Sequence, residues 1–143
     1  MSGISIYLTF NGNCEAAFEF YRRIFGGEFS YMSKFKDMPR QEGLPPVPVE
    51  MGEHIMHVSL PVGDHTVLMG SDTGGEWAPT LIEGNNFSLS YNADTREDAD
   101  RIFGSLSAGG KVTMPMAEAF WGEYFGMCAD PYGINWMVSF RSA

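Results

Sequence analysis

Apolar and polar residues alternate along "ISIYLTF" (Ile4–Phe10), the period of a strand with one buried face. The period then changes. Ala16, Ala17, Phe20, Tyr21, Ile24 and Phe25 recur at helical spacing, with Asn13 in the N-cap position and Gly26-Gly27 as the stop. Glu15 and Glu19 come early and Arg22 and Arg23 late, the order that the helix dipole favours. Three β-rich runs follow, at about 28–35, 54–60 ("HIMHVSL") and 65–70 ("HTVLMG"), the last two joined by "PVGD".

The same order then repeats. "NFSLSYN" (86–92) alternates, and Thr95 opens a second helix with Asp98 three residues on, as in a capping box. Ala99, Ile102, Phe103 and Leu106 form the apolar stripe of that helix, and Gly109-Gly110 ends it. Strands are predicted near 111–114, 123–129 and 134–140, the last two flanking the turn "DPYG". The expected fold is therefore α+β, with tandem βαβββ modules. One domain spans 1–143, with module one at 1–72, a Gly- and Pro-bearing linker at 73–85 and module two at 86–143.

A sheet with a helix on one face leaves its other face open. Strand alternation assigns residues to each. Ile6, Leu8 and Phe10 are expected against the first helix, with Ser5, Tyr7 and Thr9 opposite. Phe87, Leu89 and Tyr91 are expected against the second, with Asn86, Ser88 and Ser90 opposite. In the last strand Ile134, Trp136 and Val138 pack, leaving Asn135, Met137 and Ser139. His57 and Ser59 lie opposite Met56, Val58 and Leu60. The open faces mix polar and apolar groups, which suits a hydrated cup.

Composition narrows the classes of function. With 143 residues, 44% hydrophobic and 19% charged, the chain is long and apolar enough for a core of its own. A formal charge of −9 argues against nucleic acid and anionic membrane surfaces as partners. Two cysteines, Cys14 and Cys128, form no CxxC pair, so a reducing compartment is expected and no disulfide. No basic leader and no long apolar run is present, and a cytoplasmic location is expected. GxxxxGK[ST], GxGxxG and GxSxG are all absent, so nucleotide and α/β-hydrolase chemistry have no support.

"EAAFEFYRRIFGGEF" resembles the helix signature of the vicinal-oxygen-chelate superfamily, which includes glyoxalase I, bleomycin- and fosfomycin-resistance proteins and extradiol dioxygenases. "HIMHVSL", "HTVLMGSD" and "WGEYFGMCADPYGINWMV" resemble its PhnB-like branch, sometimes labelled demethylubiquinone-methyltransferase-like. A methyl-transfer role has no support, because the βαβββ order lacks the glycine-rich first turn of a doubly wound cofactor fold. The resemblance implies a cupped eight-stranded sheet built from the paired modules, completed in a homodimer. It also implies metal positions on the first, fourth, fifth and eighth strands, which fall on Ser5, on Val67 or Leu68, on Asn86 and on Met137. Two neutral oxygens, an aliphatic chain and a thioether are a poor donor set for an ion that prefers imidazole and carboxylate.

The expected function is accordingly the binding of a small-molecule ligand without metal or cofactor, with Ser5, Tyr7, His57, Asn86, Ser88, Trp121 and Met137 lining the cup. An enzymatic alternative, a lyase, isomerase or transferase of the glyoxalase type, uses a shifted metal site or His57 and Glu123 as an acid–base pair. A protein-interaction module is the third. His54 and His57 form HxxH, but a regular strand places residues three apart on opposite faces. Trp121, Glu123 and Tyr124 offer an indole, a carboxylate and a phenol at the cup rim. Cys128 is expected to be buried and inert, while Cys14 lies where a helix dipole lowers a thiol pKa. The Pro-rich segment 36–53 is expected to be a lid, a binding loop, an interface arm or a mobile, dispensable insertion.

Overall fold

The computed structural model describes residues 3–37, 43, 49–73 and 81–141. Most of the Pro-rich segment (38–42 and 44–48) and of the linker (74–80) lie outside the described residues. The chain divides into two compact units, Met1–Ile82 and Glu83–Ala143. In the first, β1 (Ile6–Phe10) leads to α1 (Cys14–Phe25), β2 (Tyr31–Lys34), short 3-10 turns at Phe35–Asp37 and Val49–Met51, β3 (Ile55–Val62) and β4 (Thr66–Asp72). In the second, β5 (Leu89–Asn92) leads to α2 (Arg96–Ser107), β6 (Lys111–Glu118), β7 (Glu123–Ala129) and β8 (Asn135–Arg141). Each unit is a four-stranded mixed sheet, ordered β1-β4-β3-β2 and β5-β8-β7-β6. The two βαβββ modules are thus present, each with one parallel pair (β1 with β4, β5 with β8) beside an antiparallel meander.

In the first unit the buried face of α1 is Cys14, Ala17, Phe18, Tyr21 and Ile24. The helix is turned relative to the predicted stripe: Ala16 faces solvent and Phe18 takes the central place. Phe18 packs edge-on against Phe10 and Tyr21, at 6.2 and 5.6 Å between centroids. Gly70 makes room for it, since a Cβ there would sit 2.7 Å from the Phe18 ring. Leu8, Phe10, Val58, Leu60 and Leu68 complete this core. In the second unit Ala99, Ile102, Phe103 and Leu106 of α2 are buried with Leu89, Cys128, Trp136 and Val138.

The cap of α1 differs from the prediction. Asn13 makes no side-chain cap bond. Asp72, at the end of β4, does the work instead: its Oδ1 accepts from the N–H groups of Gly12 and Cys14 at 2.8 and 3.0 Å, and its Oδ2 from that of Ile55 at 2.9 Å. One buried carboxylate so ties the helix start, β4 and β3 together. Thr95 does cap α2, its Oγ1 accepting from the Asp98 N–H at 3.0 Å. The Asp98 carboxylate is engaged by the Tyr91 hydroxyl and by Arg101.

Other boundaries move as well. β5 starts at Leu89, not Asn86, and Phe87 is 61% exposed instead of packed on α2. At the first residue of β8, the Asn135 side chain donates to the Gly84 carbonyl at 3.3 Å, and ladder pairing with β5 begins only at Leu89 with Trp136. β3 continues through Pro61 and Val62, so the turn to β4 is Gly63-Asp64-His65, with Gly63 at φ +65. β6 is an edge strand with two register shifts and Pro115 inside it, features that make an edge a poor template for further pairing. No described helix is long and apolar enough to cross a membrane.

Candidate functional site

Across the first sheet, the rung Tyr7–Met69–Ser59–Tyr31 runs through all four strands on the face away from α1. His57, one step along β3 and opposite Ser33 of β2, belongs to this region. Its imidazole lies 5.8 Å from the Tyr7 ring and 5.6 Å from the Tyr31 ring, so two phenols from opposite edges of the sheet converge on it. Tyr7 and Tyr31 are each about half exposed, at 49% and 50%. His57 Nε2 is 3.1 Å from Ser59 Oγ. Nδ1 makes no hydrogen bond among the described residues. The Ser33 hydroxyl is buried without a hydrogen-bond partner among the described residues, the kind of group that a ligand atom or ordered water completes.

HxxH is not a chelating pair. A register shift opposite Ser33 and Lys34 adds Met56 as an extra residue, which breaks the alternation assumed for this strand. His54 falls before β3, its ring 3.5 Å from where a Cβ on Gly12 would sit, while His57 lies among the tyrosines.

On the second sheet the face away from α2 mixes apolar and polar groups. Met114 pairs with Met127, and Met127 with Met137, which in turn pairs with Ser90. Phe125 pairs with Ser139, whose hydroxyl donates to Asn92 Oδ1 at 2.9 Å. At the β6–β7 turn, the Trp121 ring lies 5.8 Å from Phe125, and its indole N–H donates to Glu123 Oε2 at 3.0 Å. Tyr124 does not join that rim. It faces α2, donating to the Asp100 carboxylate, with the Arg96 guanidinium 3.9 Å over its ring. The Asp100 bond raises the Tyr124 hydroxyl above its ordinary range, followed by burial.

Of the remaining sequence candidates, Ser5 is exposed just ahead of β1, with the parity of Tyr7. Asn86 and Ser88 are exposed in irregular chain before β5, so the register brings Ser90, and neither of them, beside Met137. The sequence reading missed Tyr31 and Phe125. Both sit at the parity of open-face neighbours, but only the hairpin registers place them beside His57 and Trp121.

The implied metal positions do not fit a divalent ion. Leu68 is buried on the helix side, Val67 carries no donor, Asn86 is off the strand and Met137 offers a thioether. Among the described residues no group of three or more His, Cys, Asp and Glu is placed to hold an ion. Nor are the thiols reactive. Burial, with Asp72 and Glu15 adding to it, pushes the Cys14 thiol far up, opposite to the expected dipole effect. Burial, then Asp130, raises Cys128 to about 11. Beside the segment 38–48, Lys36 and Lys34 both bond Glu53 and hold its carboxyl down at about 2, which ties the ends of that segment together.

The Glyoxalase/Bleomycin resistance protein/Dioxygenase superfamily matches residues 3–138. The chain is 30% identical over 141 residues to Protein YjdN of Escherichia coli (strain K12), covering 95% of this chain and 93% of that protein. Among solved structures, protein PA1353 from Pseudomonas aeruginosa is similar over 100% of both chains, at 36% identity and a TM-score of 0.83. A PhnB protein from Bacillus cereus, described as a putative 3-demethylubiquinone-9 3-methyltransferase, has a TM-score of 0.75 at 22% identity, covering 97% of this chain and 99% of that one. At that identity the likeness concerns the fold alone.

Proposed function

Because the chain belongs to the Glyoxalase/Bleomycin resistance protein/Dioxygenase superfamily, we propose that it binds a small organic molecule on the open faces of its sheets, without the divalent ion of the metalloenzyme members. The observation that carries this reading is the His57 cluster. Two half-exposed tyrosines flank an imidazole with one ring nitrogen held by Ser59 and the other without a hydrogen bond among the described residues. Flat aromatic surface with a few placed polar groups is the composition of a ligand site. Nothing in it needs an ion. The Ser33 hydroxyl, without a partner among the described residues, adds a group whose hydrogen bond is still to be made.

A thermal-shift screen of small metabolites and aromatic compounds, followed by calorimetry on any hit, tests the proposal. His57→Ala is expected to weaken binding about tenfold, the worth of one hydrogen bond to a ligand. The melting temperature should stay within about 2 °C of the parent, because the side chain is partly exposed and outside the core. Unchanged affinity in His57→Ala would remove the first sheet from the site. The acid–base alternative is favoured by one observation, that Nδ1 of His57 makes no hydrogen bond among the described residues. It requires that the same variant abolish a turnover.

A further inference from the structure

The β6–β7 hairpin tip carries a second arrangement of aromatic rings and charge. Phe120 is 97% exposed and meets the half-exposed Trp121 edge-on at 4.9 Å; Trp121 is also inclined to Phe125 at 32°. We propose that this tip is a subsite for an organic cation, a quaternary or protonated amine borne on an aromatic or apolar body. The inference rests on the small-molecule reading above and adds the charge class of the ligand.

Three observations support it. First, the backbone that carries the rings is held in place. The Ala119 N–H donates to the Glu123 carbonyl at 2.8 Å and the Gly122 N–H to that of Ala119 at 3.0 Å, with Gly122 at φ +92. On the other face, Tyr124 bonds Asp100, and Arg96 both covers the Tyr124 ring and pairs with Glu118, so α2 anchors both strands of the hairpin. A tip so anchored has little order to gain on binding.

Second, the charge suits a cation. Glu123 gives one oxygen to the indole N–H, and its other oxygen has no partner among the described residues. Arg141 is its cross-strand neighbour but makes no ion pair with it. The side chains on α2 beneath this hairpin spend their positive charge elsewhere, Arg96 on Glu118 and Arg101 on Asp98. A formal charge of −9 raises the local concentration of cations around the whole chain.

Third, aromatic faces beside a carboxylate are the elements that recognise alkylammonium groups, through the ring quadrupole and a direct charge interaction. The methionines that follow along this face, Met127, Met137 and Met114, supply an adaptable apolar floor for the body of such a ligand.

The test is a titration of the full-length 15N-labelled protein with benzyltrimethylammonium, against benzenesulfonate and benzyl alcohol, read at the tryptophan indole N–H signals. Trp121→Phe assigns the Trp121 signal. A saturable shift of that signal with the ammonium probe and not with the other two is expected. Glu123→Gln keeps an oxygen acceptor for the indole but removes the charge, and should weaken the ammonium probe about fivefold. Equal shifts with benzenesulfonate or benzyl alcohol, or full affinity in Glu123→Gln, would overturn the cation subsite. Shifts confined to the amides around His57 and Tyr31 would overturn it too, yet leave the small-molecule reading standing. A probe-insensitive Trp121, together with a metabolite screen that yields no hit, would remove both.

Discussion

Asp72→Ala is expected to lower the unfolding free energy by about 3–5 kcal/mol, because it removes the acceptor of three backbone donors, two of them buried. The carboxylate accepts from Gly12, Cys14 and Ile55, three N–H groups from two separate segments of the first unit. Removing it uncaps α1 and unties the start of β3 in one step. Asp72→Asn separates charge from hydrogen bonding. Its amide oxygen can keep the Gly12 and Cys14 donors, while its NH2 group would confront the N–H of Ile55, so about half the loss is expected. Urea unfolding followed by circular dichroism checks both. A loss in Asp72→Ala no larger than that of a surface substitution would show that water replaces the carboxylate.

Gly110→Ala is the second large effect, expected at about 3 kcal/mol or more. A Cβ there would collide with the Ala129 carbonyl oxygen and lie 2.9 Å from the carbonyl carbon of Asp130. These are backbone atoms at the base of the β7–β8 turn and have little room to give. Asp130 fixes that turn by accepting from the N–H groups of Tyr132 and Ile134 and from the Trp136 indole, at 2.8, 3.0 and 2.9 Å. The neighbouring Gly109 has a different reason to be glycine: it turns the chain out of α2 at φ +79, with its Cβ position 3.6 Å from Pro131. The matched variant Gly109→Ala should cost about 1 kcal/mol from the backbone conformation alone. Equal losses in the two variants would contradict the close approach at Gly110.

The module order was legible because each element carries its own period, and Gly26-Gly27 and Gly109-Gly110 mark both helix ends. What the sequence hid depends on contacts between segments distant along the chain. Asn13 has the composition of a cap, but the cap comes from Asp72, 58 positions from the Cys14 amide that it accepts from. Phe87 has the parity of a core residue, yet the ladder with β8 starts at Leu89 and leaves it outside. The bulge at Met56 breaks the alternation assumed for β3 ahead of His57, and no local pattern in "HIMHVSL" announces it. Tyr124 sits beside Trp121 and Glu123 in sequence and on the opposite face in space, as strand alternation requires.

The candidate site follows the same division. Tyr7 and His57 were readable from parity, whereas Tyr31 needed the β2–β3 register. The weakness of the metal positions was readable from residue type alone, since Met137 stands where a carboxylate is implied. The fold sharpens that point by moving Leu68 to the buried side and Asn86 off its strand.

The most direct measurement is elemental analysis by plasma mass spectrometry. Protein purified without chelator is incubated with excess zinc, manganese, nickel or ferrous iron and then desalted. Retention well below one ion per chain is predicted for every metal. One equivalent retained, and lost on substituting Ser5, His57 or Met137, would contradict the account.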